Sequence, residues 1–213
     1  MKNRTSDNVR QSRCCQADYD GPDNGFRRDM LKYLAFAIPI ANLSVSGKLS
    51  AAQNRPERLP PQPGDRLTYF SKSKRGQIIK LSDLAELDKQ QLILPYDVQN
   101  NIVRDGSRYN QVLLQKLPES KLSNDTKALS ASGVVAYSAI CTHAGCPVTG
   151  WMTDEENYMC PCHQSVFNPK DSGVVMAGPA PRNLPALPLK VENDEIVVAG
   201  NFNSWIGFGK PPR

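Results

Sequence analysis

Two six-residue boxes, Cys141-Thr142-His143-Ala144-Gly145-Cys146 and Cys160-Pro161-Cys162-His163-Gln164-Ser165, hold four of the six cysteines and both histidines of this 213-residue chain. If these residues act as one ligand set, any fold must bring the two boxes together. Each box offers a cysteine and a histidine at close spacing, Cys-x-His in the first and Cys-x-x-His in the second. Spacings of this kind let one tight loop touch both metals of a small cluster, and two such loops clamp it. With Cys141 and Cys160 on one iron and His143 and His163 on the other, the ligation is the Cys2His2 type that sets one class of 2Fe-2S centre apart from all-cysteine clusters.

Two plainer readings compete. A structural zinc module also uses Cys2His2, but zinc fingers usually pair like with like, as Cys-x2-4-Cys and His-x3-5-His. A pure disulfide framework leaves both histidines without a role.

On these boxes the chain resembles the Rieske iron-sulfur protein family, in its Cys-Thr-His-x-Gly-Cys and Cys-Pro-Cys-His-x-Ser form. The family-like pattern runs over residues 76 to 200, with the later Gly178-Pro179-Ala180-Pro181 as a third specific segment. The resemblance implies one 2Fe-2S cluster held by Cys141, His143, Cys160 and His163. It also implies a disulfide between Cys146 and Cys162, and a proline loop at Gly178, Pro179, Ala180 and Pro181 that covers the cluster. Rieske domains of ring-hydroxylating oxygenases lack the extra cysteine pair, so the resemblance is to the cytochrome-linked type. No histidine is left over for the mononuclear iron site of an oxygenase. Ser165 stands where the family has a hydroxyl donor to a bridging sulfide. Phe167 stands where high-potential members have a tyrosine, and Gln164 where glycine is common.

Two features point to an oxidising compartment. A structural disulfide persists in oxidising spaces and is rare in cytosol. Independently, Phe26-Arg27-Arg28-Asp29-Met30-Leu31-Lys32 resembles a twin-arginine export motif, and an apolar run from Tyr33 to Val45 follows it. Ser50 and Ala52 then fit a cleavage site before Gln53. The apolar run is shorter than the roughly 20 residues of a spanning helix, and Pro39, Asn42, Ser44 and Ser46 interrupt it. The leader, residues 1–52, is expected to be a removable signal; left uncleaved, it would tether the protein to the membrane. Cys14 and Cys15 are incidental to the cluster. The expected location is the periplasm or the periplasmic face of the inner membrane.

Of the formal charge of +5, the first 52 residues carry +3, from 8 basic and 5 acidic side chains. The remainder is too small and too scattered to suggest nucleic acid. Lys72, Lys74 and Arg75 form one local cluster, read as a solvated loop.

Residues 53–75, with four prolines between Gln53 and Asp65, are expected to be a linker or surface strap, and residues 76–213 the Rieske domain. Strands are expected at Arg66–Phe70, Gln77–Leu81, Gln111–Leu117 and Val134–Ile140. Asn157–Met159 should deliver Cys160, and a hairpin should form from Leu187–Val191 and Glu195–Ala199 across Asn193-Asp194. Ser82 should cap a helical turn through Leu87, and the polar stretch Pro118–Ser132 should be an insertion loop with a turn at Asp125–Leu129. Short strands separated by turn residues imply an all-β domain. The resemblance makes this an antiparallel sandwich or barrel with an inserted cluster-binding subdomain.

Such a protein relays single electrons and turns over no substrate of its own. The leader, Val135-Ala136-Tyr137-Ser138 and Phe167 are most similar to the small subunit of arsenite oxidase. Ser165 and the Gly-Pro-Ala-Pro loop are more like the Rieske subunit of cytochrome bc complexes. The partners implied are a molybdenum-containing or cytochrome subunit and a c-type cytochrome or cupredoxin.

Overall fold

The computed structural model describes residues 55–209 with the exception of residue 87. The leader, its twin arginines, and Cys14 and Cys15 lie outside the described residues.

The described chain is all-β apart from one short helix and a few 3-10 turns. A large antiparallel sheet is built from β1 (Arg66–Tyr69), β2 (Gln91–Asp97), β3 (Ile102–Val103), β4 (Val112–Lys116), β5 (Val134–Ser138), β10 (Leu189–Glu192) and β11 (Glu195–Val198). Its order is β10-β11-β1-β2-β4-β5, with β3 paired to β2. The sheet curls into a half-barrel, because the segment entering β10 reaches back to the far edge. There Leu187 N–H donates to Ala136 at 2.9 Å and Ser138 N–H to Pro185 at 2.8 Å. Between β5 and β10 the chain inserts a second antiparallel sheet of β6 (Gly150–Met152), β7 (Asn157–Cys160), β8 (Ser165–Asn168) and β9 (Val174–Ala177). The expected inserted subdomain is thus present, and it carries both cysteine boxes on its loops.

Strand alternation explains how one pair of strands serves two cores. Successive side chains point to opposite faces, and β4 and β5 are buried on both. Val112, Leu114, Val134 and Ala136 face the half-barrel interior with Leu67, Ile79, Ile93 and Ile196. Leu113, Val135 and Tyr137 face the other way, joining Tyr158, Phe167, Cys141 and Cys160 beneath the small sheet. Each fully buried large apolar side chain contributes about 1.5–3 kcal/mol, so this second core ties the box-bearing sheet firmly to its base.

The β10–β11 hairpin turns on Asn193 and Asp194 at φ 51° and 66°, the left-handed pair that a two-residue hairpin needs and that Asn and Asp tolerate. Helix α1 (Asn124–Leu129) lies inside the expected insertion loop, with Ser123 as its N-cap accepting from Thr126 N–H. Two local expectations are corrected. Residues 77–81 form no strand; Ile78 and Lys80 make isolated bridges to Thr68 and Glu195. Ser82 caps no helix either. It sits within a 3-10 turn, Leu81–Asp83, and its hydroxyl donates to the Asp194 carboxylate at 2.6 Å, because the hairpin turn offers it a stronger, charged acceptor.

The proline-rich stretch runs along the base and straight into β1. Arg104, 4% exposed, holds it by a two-pronged ion pair to Asp65 at 2.6 and 2.9 Å and a bond to the Pro56 carbonyl at 3.0 Å.

Candidate functional site

Box one begins where β5 has ended. Ile140 bridges back to Pro147, and Val148 N–H donates to Ala139 at 2.8 Å. The intervening loop is closed by Cys141 N–H to Cys146 at 2.8 Å and Gly145 N–H to Cys141 at 3.0 Å. Gly145 takes φ +73°, and a Cβ there would stand 2.9 Å from the Phe208 ring, which is why the box needs glycine. Box two is the β7–β8 hairpin. Cys160 and Ser165 are cross-strand partners, and Gln164 N–H closes the loop to the Cys160 carbonyl at 3.0 Å. Both loops therefore hang from hydrogen-bonded strand ends, which fixes where their side chains point.

The structure brings all six box residues together. Cys146 and Cys162 form a disulfide with Cα atoms 6.5 Å apart, pinning loop to loop. Cys141 and Cys160 are free thiols, each 1% exposed. The rings of His143 and His163 meet edge to face with centroids 4.7 Å apart. His163 is exposed and His143 half-buried. The sulfurs of Cys146, Cys160 and Cys162 lie within 4.8 Å of one another, but the disulfide uses two of them, leaving Cys160 free.

Two polar atoms unpaired among the described residues and the sulfur donors fit a cluster, whereas the free Cys160 thiol resists ionisation. Burial pushes the Cys160 thiol above its ordinary pKa, the neighbouring Cys141 adds to this, and the backbone amides of Cys162 and His163 pull it back toward a thiolate. His143 Nδ1 and Ser165 Oγ are buried without a hydrogen-bond partner among the described residues. Buried polar atoms are normally satisfied. A metal accepting the imidazole lone pair and an acceptor sulfide beside the hydroxyl would satisfy both, and the soft sulfurs of Cys141 and Cys160 are a donor type that Fe–S clusters take.

The proline loop closes over box two. Gly178 has φ +87°, and a Cβ on it would lie 2.5 Å from Ser165 Cα and 2.8 Å from the Gln164 carbonyl. Only glycine allows so close an approach. Box one is tied to the residue just after that loop, since Thr142 Oγ1 donates to the Arg182 carbonyl at 2.6 Å. Ala180 is buried, whereas Pro179 and Pro181 are exposed.

Ser165 and Phe167, both 0% exposed, share one face of the hairpin with Cys160 and Tyr158, their respective cross-strand partners. Phe167 is a core residue beneath the boxes. Sequence reasoning missed Thr142 as the tie to Arg182, although a hydroxyl between Cys141 and His143 was a signal. It also missed the reason glycine is common at position 164. Gln164 has φ +57°, a left-handed conformation that costs an L-residue about 1–2 kcal/mol.

An all-β domain whose paired loops gather two free thiols and two histidines around a disulfide belongs to the metal-cluster proteins. The family model described as the Rieske 2Fe-2S domain matches residues 113–188, so this stretch of the chain is a Rieske 2Fe-2S domain, and its cofactor is that cluster. It is 37% identical over 108 residues to a Rieske subunit assigned to a respiratory nitrate reductase in Haloferax mediterranei, covering 50% of this chain and 48% of that one. It is 35% identical over 112 residues to the cytochrome bc1 complex Rieske iron-sulfur subunit of Streptomyces lividans, covering 52% and 64%. It is 42% identical over 82 residues to the cytochrome b6-f complex iron-sulfur subunit of Prochlorococcus marinus, covering 38% and 44%. The matches thus span about half to two thirds of these relatives.

Proposed function

We propose that the chain is the electron-transfer subunit of a respiratory oxidoreductase, with Cys141 and Cys160 holding one iron of the cluster and His143 and His163 the other. The observation that carries this reading is the joint placement of two buried free thiols and two histidines in disulfide-pinned loops, with His143 Nδ1 unpaired among the described residues. When bound, the cluster supplies one-electron chemistry. Around it the protein does the rest. The second core and the proline loop exclude water from the cysteine side. Ser165 aims a donor at the pocket. His163, exposed, presents its ring to a docking partner and its outer nitrogen to solvent protons.

For the host complex, the bc1 and b6-f subunits among the relatives, together with Ser165 and Gly178-Pro179-Ala180-Pro181, support a quinol-oxidising cytochrome complex over an arsenite-oxidase-like one. The latter rests on the leader, Val135-Ala136-Tyr137-Ser138 and Phe167. The subunit would work on the outer face of the membrane, a location supported by the disulfide and by Arg27-Arg28. Among the described residues no helix is long and apolar enough to cross a membrane. A zinc module accounts less well for the mixed spacing.

Two measurements test this. Purified protein should contain two irons and two acid-labile sulfides per chain, and His143→Ala should lose them; full retention overturns the ligand set. Affinity purification from native membranes should bring down haem-containing subunits. Recovery of molybdenum instead overturns the choice of complex.

A further inference from the structure

The last described residues, 201–209, do not trail away from the domain. Asn203 anchors them on the base by pairing with Ala186, N–H to carbonyl at 3.0 Å and Oδ1 from the Ala186 N–H at 2.8 Å. The chain then crosses toward box one, where the Phe208 ring lies over Gly145. Midway it meets Arg182, the residue that follows the proline loop. The Arg182 guanidinium stacks on the Trp205 indole at 3.8 Å and donates to the carbonyls of Trp205 at 3.2 Å and Gly207 at 2.5 Å. The carbonyl of the same residue accepts from Thr142, which stands between Cys141 and His143. One residue thus joins three segments: box one through its backbone, the proline loop through the chain, and the tail through its side chain.

We infer that Arg182 is a positioning residue for the cluster, and that the C-terminal tail is the buttress against which it holds box one and the proline loop. The inference rests on the proposed ligand set. Planarity decides the residue type. A guanidinium can stack on a ring and donate to two carbonyls in one plane, whereas a lysine ammonium has the charge without the fork. Outer-shell groups of this kind orient ligands, and their loss typically costs 10–100-fold in metal affinity or activity.

The test uses the full-length, cluster-loaded protein and compares wild type with Arg182→Ala, Arg182→Lys, Trp205→Ala and the Arg182→Ala/Trp205→Ala double variant. The expected result is cluster loss to a chelator accelerated about tenfold in Arg182→Ala, with broadened paramagnetic resonance lines. Arg182→Lys should resemble Arg182→Ala, and the double variant should be no worse than either single one, because both remove the same clamp. Should Arg182→Ala fail to accumulate, Trp205→Ala, which keeps the cation and removes its stacking plane, carries the same comparison. Wild-type line shape and cluster lifetime in these variants overturn the inference. So does wild-type behaviour of Arg182→Lys beside an impaired Arg182→Ala, which would make the role one of charge. A wild-type protein without a mixed-ligand signal overturns the ligand set itself, an outcome distinct from an insensitive Arg182.

Discussion

Ser165 stands directly across the β7–β8 hairpin from Cys160, fully buried, with its hydroxyl unpaired among the described residues. A buried donor without an acceptor costs about 1–3 kcal/mol, so a hydroxyl kept there is expected to have its partner in the cofactor.

Removing it should therefore lower the reduction potential. A hydrogen bond to a charged acceptor contributes about 1.5–3 kcal/mol. If it favours the reduced, more negative state, Ser165→Ala should shift the midpoint down by roughly 60–130 mV, at about 59 mV per tenfold for one electron. Protein-film voltammetry measures this; an unchanged midpoint with the cluster intact means that the hydroxyl points elsewhere.

Phe167 invites the opposite change. It is buried on the same hairpin face as Cys160, so Phe167→Tyr places a new hydroxyl in the dry core that also holds Cys141 and Cys160. The expected midpoint rises by roughly 60–130 mV if the bond to a ligand sulfur forms well. No rise, with the cluster intact, would make position 167 a packing site alone.

Gly178→Ala should damage the site from the outside. The added methyl meets Ser165 Cα at 2.5 Å on a backbone at φ +87°, so the proline loop must back away from box two. Faster cluster loss to a chelator is expected, with the base fold retained by circular dichroism. A variant that keeps its cluster as long as wild type would show that the loop does not shield it.

The boxes were legible because ligand chemistry dictates residue type and spacing together. The disulfide came only through the family resemblance, and the structure contains it. The β10–β11 hairpin was legible from its Asn-Asp turn, and β4 and β5 from their apolar runs. Other elements gave little signal. Pro95 lies inside β2 and argues against a strand, yet Pro95 pairs with Leu67 and its carbonyl is used by Arg104 N–H at 2.9 Å. Strands β6, β8 and β9 have three or four residues each. Strands β6 and β9 have no fully buried position to produce an alternating pattern. Residues 77–81 show the converse error, an apolar run that packs Ile79 into the core without joining a ladder. The tie from Thr142 to Arg182 spans 40 residues, and no local pattern encodes it.

Cutting the disulfide separates folding from ligation. Cys146 and Cys162 are 16 residues apart, for which loop entropy suggests about 3 kcal/mol of stabilisation. A Cys146→Ser/Cys162→Ser protein should unfold at correspondingly lower denaturant concentration and shed its cluster sooner. Unchanged stability would mean that the second core alone holds the loops together.

The central claim is mixed histidine-cysteine ligation, and the electron paramagnetic resonance spectrum of the dithionite-reduced protein tests it most directly. A cluster with Cys141 and Cys160 on one iron and His143 and His163 on the other should give an average g-value below that of an all-cysteine 2Fe-2S protein. An all-cysteine-like spectrum, or a silent and colourless protein carrying zinc, would contradict it.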